Sequence, residues 1–221
     1  MPFFPLVGLP HLSAHTLFCI GRNYAEHAKE LNNPIPDRPV VFTKPLTTLL
    51  ADGGTVVLPP VTHDVHHEVE LVVAIGVGGK NIPIGSALDH VAGYAIGLDM
   101  TARDIQTALK AKSHPWELAK GLDTFAPLGN FVPAASIPDP SALRIELRVN
   151  GELRQSGTTA DMLNPIPNLI AFLSTHFTLH PGDLIFTGTP AGVAGVTDGD
   201  VLEASLEHGL STLTVGVRRD S

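Results

Sequence analysis

The sequence predicts a β-rich α+β domain with a few short helices, and three observations carry that prediction. Gly and Pro supply 21 and 19 of 221 residues, well above a combined average usage of about 12%, so the chain turns often. Its apolar runs are short, and Asn150-Gly151 separates two strand-like runs as the two-residue signature of a tight hairpin. That punctuation excludes a helical bundle. Finally, 43% of residues are hydrophobic and only 16% charged, a balance that excludes disorder because it supplies a large core.

Each element follows from local pattern. Residues 16–20 read as a first strand running into Gly21, and residues 24–31 as a helix with Tyr24, His27, Ala28 and Leu31 on one face, ended by Asn33, Pro34 and Pro36. Strands follow at 40–43 and 56–58, the second bounded by the turn Asp52-Gly53-Gly54 and the breaker Pro59-Pro60. Residues 68–76 and 91–98 are apolar almost throughout and read as buried strands, with a short helix capped by Ser86 between them. Thr101 followed by Asp104 resembles a capping box opening a helix in which Ala102, Ile105, Ala108 and Leu109 recur, stopping near Ser113-His114-Pro115. Residues 143–149 and 152–156 form the hairpin. A helix starting at 166 ends near His176, and strands at 184–187, 201–204 and 213–217 alternate with Gly-Asp turns. With no linker, low-complexity tract or internal repeat, residues 1–221 read as a single domain.

Charge narrows the partners. A formal charge of −8, with 14 basic against 22 acidic residues, argues against nucleic acid. The absence of a long apolar run argues against a membrane span, and the opening MPFFPLVGLP lacks an export pattern, so a cytoplasmic protein is expected. Cys19, the only cysteine, sits among Leu17, Phe18 and Ile20 and reads as a buried strand residue.

The most informative stretch is His66-His67-Glu68-Val69-Glu70-Leu71. On a strand, residues i and i+2 face the same side, which sets the two glutamates about 6.6 Å apart at the Cα level with a repulsion of about 2.5 kcal/mol at an effective dielectric near 20. A bound cation, basic partners or water must offset that cost. A solvated strand face is the bland reading, and the flanking Val and Leu run speaks against it. Asp99, which closes an apolar run, is either a helix cap or a third carboxylate. Three carboxylates suit Mg²⁺, Mn²⁺ or Ca²⁺, whereas inclusion of His66, on the same strand face, would favour Zn²⁺ or Fe²⁺.

His27 and Glu30 are neighbours at i and i+3 on a helix, either as a surface pair or as a dyad in which the carboxylate raises imidazole basicity toward a water. Arg103 and Gln106 lie one turn apart after Asp99 and either orient a substrate or decorate a helix surface. Thr189, in Thr187-Gly188-Thr189-Pro190, sits in a turn that can also approach a carboxylate closely. Trp116 beside Pro115 reads as packing, with a movable cover over the site as the sharper idea.

Together the strings Gly21-Arg22-Asn23-Tyr24 with Glu26-His27, Lys44-Pro45, His67 to Leu71, Asp99-Met100-Thr101-Ala102-Arg103-Asp104, Lys120-Gly121-Leu122-Asp123, Asn150-Gly151-Glu152 and Thr187 to Val193 resemble the fumarylacetoacetate hydrolase family. The acylpyruvase and oxaloacetate decarboxylase branch is the nearest in pattern, and the match runs in order along almost the whole chain.

That resemblance implies a mixed β-sandwich or β-roll core of the fumarylacetoacetase C-terminal-domain type, a homodimer, and Mg²⁺ or Mn²⁺ held by Glu68, Glu70 and Asp99. It further implies a 2-oxo or 2,4-dioxo acid substrate, cleaved to pyruvate and a carboxylic acid. His27 and Glu30 would then activate water and Lys120 would stabilise the departing enolate, with Arg22, Arg103, Gln106 and Thr189 binding substrate. Oxaloacetate would lose CO₂ through the same enolate. Two other outcomes fit the same residues: an isomerase or decarboxylase of 5-carboxymethyl-2-hydroxymuconate breakdown in aromatic catabolism, and a metal-binding protein without turnover.

Overall fold

Short apolar runs broken by turns leave the chain little choice but to stack strands, and the computed structural model, which describes residues 4–31 and 34–220, arranges them in three sheets. The largest runs β2 (Val40–Lys44), β1 (Leu17–Gly21), β13 (Leu184–Phe186), β6 (Val69–Ile75), β7 (Val91–Leu98), β9 (Ala126–Leu128) and β3 (Leu49–Ala51), with β10 (Val132–Pro133) against β7. A second sheet runs β12 (Glu152–Thr158), β11 (Arg144–Val149), β15 (Val201–Leu206), β16 (Ser211–Arg219) and β4 (Thr55–Leu58). A small third sheet joins β14 (Ala194–Gly195), β5 (Val65–His67) and β8 (Thr101–Ala102). Pairing is mixed: β1 with β13, β3 with β9 and β4 with β16 are parallel, and the rest antiparallel. Among the described residues four α-helices, α1 (Ala25–Glu30), α2 (Arg103–Ala111), α3 (Glu117–Lys120) and α4 (Ile166–His176), lie between strands in sequence. None is long and apolar enough to cross a membrane.

Strand β6 explains its own composition. Leu71, Val73 and Ile75 join Ile145, Leu147, Leu202 and Val215 of the second sheet in one cluster, while Val72 and Ala74 join Leu17, Cys19 and Phe186 in another. Both faces are covered, so the strand reads as a continuous apolar run and not as an alternation. Cys19 is fully buried, as expected. In the β11–β12 hairpin Val149 faces Glu152, and Asn150 and Gly151 take φ of +53° and +80°, the pair of left-handed residues that a two-residue turn of this kind requires.

Several local expectations are corrected. The run at 68–76 is one strand, β6, as expected, but Glu68 itself stands outside the ladder, at the point where the chain leaves the small sheet of β5 and enters the large one. Thr101 does not cap α2. It sits in β8 and its hydroxyl donates to the Asp99 carbonyl at 3.0 Å, while α2 follows Ala102 with no side-chain cap. Asp104 instead accepts from the Thr62 hydroxyl and the His63 N–H. Ser86 lies inside a 3₁₀ turn, Ile84–His90, that begins after Pro83. Helix α1 ends at Glu30 with Leu31 as its cap, and the stop residue Asn33 lies outside the described residues. Helix α3 and the strands of two or three residues other than β13 were beyond periodicity, which needs longer windows.

Candidate active site

The pairing of β6 with β7 sets Glu70 opposite Gly97 and Val69 opposite Leu98. Just beyond that ladder the Asp99 N–H donates to the Glu68 carbonyl at 2.8 Å. The adjacent ends of two central strands therefore deliver all three carboxylates to one place. Glu68, Glu70 and Asp99 are at most 5% exposed, and each brings an oxygen within 4.8 Å of the other two.

Three cations sit against them. Lys120 Nζ donates to Glu68 Oε2 at 2.8 Å and to Asp99 Oδ2 at 2.5 Å, and Arg103 Nη2 donates to Glu68 Oε1 at 2.5 Å. Lys44 Nζ donates to the Met100 and Phe125 carbonyls and lies 2.6 Å from Asp99 Oδ1, though out of hydrogen-bonding alignment. Burial opposes ionisation of Glu68, but Lys120 and Arg103 hold it well below the usual carboxylate range. Burial lowers Lys120, but Asp99 and Glu68 outweigh it and raise the ammonium to about 12. Glu70 has the opposite fate: burial, then Asp99 and Glu68, push it well above the usual range. Its one backbone donor, the Gly188 N–H at 2.8 Å, does not offset two neighbouring anions.

Gly188 belongs to the loop after β13, at φ +99° with an added Cβ only 2.7 Å from Asn23 Cβ, so this close approach needs glycine. Asn23 pins the loop by donating to the Thr187 carbonyl at 2.8 Å and accepting from the Asn164 N–H. From β12, Gln155 reaches the Thr189 hydroxyl and the Pro190 carbonyl.

On α1, His27 is buried and its Nδ1 lies 3.3 Å from Glu30 Oε2. Glu30 is anchored in turn by the Gly192 N–H at 3.1 Å. Burial lowers the His27 pKa, with Glu68 and the Glu30 contact opposing, so the imidazole is neutral at pH 7 and its Nε2 is free to take a proton.

Nine of the ten candidate residues, Arg22, His27, Glu68, Glu70, Asp99, Arg103, Gln106, Lys120 and Thr189, line one cleft. Glu30 joins it through His27. Residue-level reading passed over Lys44, Asn23, Gln155 and Lys110 as site residues. Lys44 and Asn23 stand inside recognisable strings, whereas Gln155 carries no local signal in a hairpin strand. Trp116 packs edge-on against Phe42 at 5.5 Å between ring centres, which gives it a packing role.

The donor set fits a hard divalent cation. Asp99 Oδ1 is buried with no hydrogen-bond donor, Glu70 lacks a cation of its own, and every candidate donor is a carboxylate oxygen. His66 is not part of the set. The strand break at Glu68 separates it, and its Nε2 binds Asp64 at 2.9 Å, so the Zn²⁺ or Fe²⁺ version with a histidine ligand loses its basis.

The site is thus a buried carboxylate triad at the end of a central strand pair that could hold a metal ion, with basic side chains around it and an imidazole–carboxylate pair in the same cleft. Residues 16–218 match the fumarylacetoacetate (FAA) hydrolase C-terminal family, and the chain belongs to that family. It is 46% identical over 203 residues to the mitochondrial oxaloacetate tautomerase FAHD1 of Arabidopsis thaliana, covering 92% of this chain and 91% of that protein. The mitochondrial oxaloacetate decarboxylase of Dictyostelium discoideum is 45% identical over 197 residues, covering 89% and 90%. Among solved structures, fumarylpyruvate hydrolase from Pseudomonas aeruginosa in complex with Mn²⁺ and pyruvate superposes with a TM-score of 0.92 at 37% identity, covering 99% of this chain and 96% of that one. The fold is thus that of the family's C-terminal domain.

Proposed function

We propose that this chain is a divalent-metal-dependent enzyme that cleaves the carbon–carbon bond of acylpyruvate-type 2,4-dioxo acids, giving pyruvate and a carboxylic acid. The observation that carries this reading is the meeting of two machines in one cleft: the Glu68, Glu70 and Asp99 triad with Lys120, and the His27–Glu30 pair. Glu68, Glu70 and Asp99 would hold Mg²⁺ or Mn²⁺, which supplies Lewis-acid polarisation and a template for the carboxylate and 2-oxo oxygens of the substrate.

The chain's own groups do the rest. The Thr189 hydroxyl takes the substrate carboxylate, and Arg103 with Gln106, linked at 2.7 Å, orients the 2-oxo end. Neutral His27 accepts a proton from water, and Glu30 fixes the ring and stabilises its charged form. The water oxygen adds to the distal acyl carbon. When the bond to the pyruvate carbon breaks, its electron pair becomes the enolate, which the Lys120 ammonium stabilises and His27 reprotonates.

A second reading, oxaloacetate tautomerisation or decarboxylation, is favoured by the names of relatives 44 to 46% identical. Decarboxylation would pass through the same pyruvate enolate and tautomerisation through the enolate of oxaloacetate itself, and neither needs an attacking water. A panel of acetylpyruvate, fumarylpyruvate and oxaloacetate, assayed with Mg²⁺, with Mn²⁺ and metal-free, decides: hydrolysis that needs the metal supports the first reading, and oxaloacetate turnover without any hydrolysis supports the second. The homodimer that the family resemblance implies is part of this proposal, and light scattering at the monomer mass would remove it.

A further inference from the structure

The mouth of the cleft holds two cations that the chemistry above leaves unused. Arg22 sits in the turn between β1 and α1 at φ +58°, a left-handed conformation that costs a long side chain energy and is kept where the surroundings require it. Its Nε is buried with no hydrogen-bond partner. Lys110 lies in the last turn of α2, half-buried, with its ammonium 5.4 Å from the centre of the Trp116 ring. That ring also covers the turn before Arg22, since a Cβ added at Gly21 would stand 3.2 Å from Trp116 Cζ3. Trp116 therefore joins the two segments into one wall, and both cations line the cleft of the carboxylate triad.

Neither cation is neutralised. Among the described residues Arg22 and Lys110 make no ion pair: Glu68 pairs with Arg103 and Lys120, Asp99 with Lys120 and Lys44, and Glu70 accepts from the Gly188 N–H. The local field is positive enough that burial, then Arg22 and Arg103, push the Lys110 ammonium down to about 8. A charge partly withdrawn from water without a counter-ion is costly, and a ligand carboxylate relieves it: a guanidinium offers a planar fork to such a group and an ammonium a second point charge.

We propose that Arg22 and Lys110 form a second anion subsite that receives the distal carboxylate of the substrate, so the cleft prefers 2-oxo dicarboxylates of the oxaloacetate or fumarylpyruvate class to monocarboxylates such as acetylpyruvate. This deepens the oxo-acid reading and rests on it. The triad end takes the 2-oxo acid head, and the Trp116 wall takes the tail.

The test is calorimetric, with Mn²⁺-loaded protein and two probes of equal length that differ only in the distal carboxylate, 2-oxoglutarate and 2-oxopentanoate. The expected result is that wild-type protein binds 2-oxoglutarate about tenfold more tightly, the worth of one charge-assisted contact. Lys110→Met and Arg22→Gln, made separately and checked for fold by circular dichroism, should each bring 2-oxoglutarate toward the affinity of 2-oxopentanoate. Equal binding of the two probes by wild type, or a preference that survives both substitutions, overturns the subsite and leaves the oxo-acid reading standing. Binding of neither probe removes that reading and the subsite with it.

Discussion

The side-chain amide of Gln155 donates to the Thr189 hydroxyl at 2.8 Å while its carbonyl accepts from the Val69 N–H at 3.0 Å. One buried residue of the hairpin thereby ties the strand that carries Glu70 to the loop that carries Thr189. The same carbonyl lies 2.9 Å from His67 Nδ1, so it also holds the point where the chain changes sheets.

Replacing it should be felt at the substrate as well as in stability. Gln155→Leu leaves the Val69 N–H buried without an acceptor and frees the Thr189 loop, and a loss of about 1–3 kcal/mol is expected from urea unfolding. KM for the oxo acid should rise more than kcat falls, since the loop binds and does not react. A variant as stable as wild type with an unchanged KM would show that this tie is dispensable.

Of the three carboxylates that would hold the metal, Glu70 needs it most, because without one it faces Asp99 and Glu68 in a buried setting. Glu70→Ala should abolish Mn²⁺ binding in calorimetry and all turnover; metal retained by that variant would sink the assignment. A raised pKa means that the carboxyl gives up its proton less readily than an ordinary glutamate, and it must release that proton to bind. Metal affinity should consequently weaken as pH falls through that raised value, with protons released on binding.

His27 separates hydrolysis from enolate chemistry. His27→Ala should keep the metal and lose hydrolysis by about 10²- to 10⁴-fold, the usual worth of a general base, while oxaloacetate decarboxylation persists. Burial holds its pKa below the ordinary 6.5, so the neutral, active form survives to lower pH than a free imidazole would allow. The acid limb of the hydrolysis profile is expected below pH 6.5 and should vanish in the variant.

Lys120 has a structural as well as a chemical consequence. Lys120→Met removes the ammonium shared by Glu68 and Asp99, and breaking a buried pair of this kind costs about 3–5 kcal/mol. Thermal unfolding of the metal-free variant should show that loss, and saturating Mn²⁺ should recover much of it by supplying the missing positive charge. Hydrolysis and oxaloacetate decarboxylation should fall together, because one enolate serves both; loss of only one breaks the link.

Local pattern was enough for much of this molecule. The Asn150-Gly151 hairpin, the doubly buried β6 and β7, the helix holding His27 and Glu30 at i and i+3, and the spacing of Glu68 and Glu70 all follow from interactions within a few residues, which is the range over which periodicity and turn chemistry act. Thr101 shows the limit: it satisfies a capping pattern, yet pairing of β8 with β5 draws it into a strand. The break at Glu68, the Lys44 contact with Asp99 and the Gln155 bridge across 86 residues to Val69 belong to the tertiary structure. Sequence by itself determined which side chains could bear charge and which strands must be buried. Only the packing of three sheets decided which distant cation meets which carboxylate, because a buried charge is settled by whatever partner the fold brings within hydrogen-bonding distance.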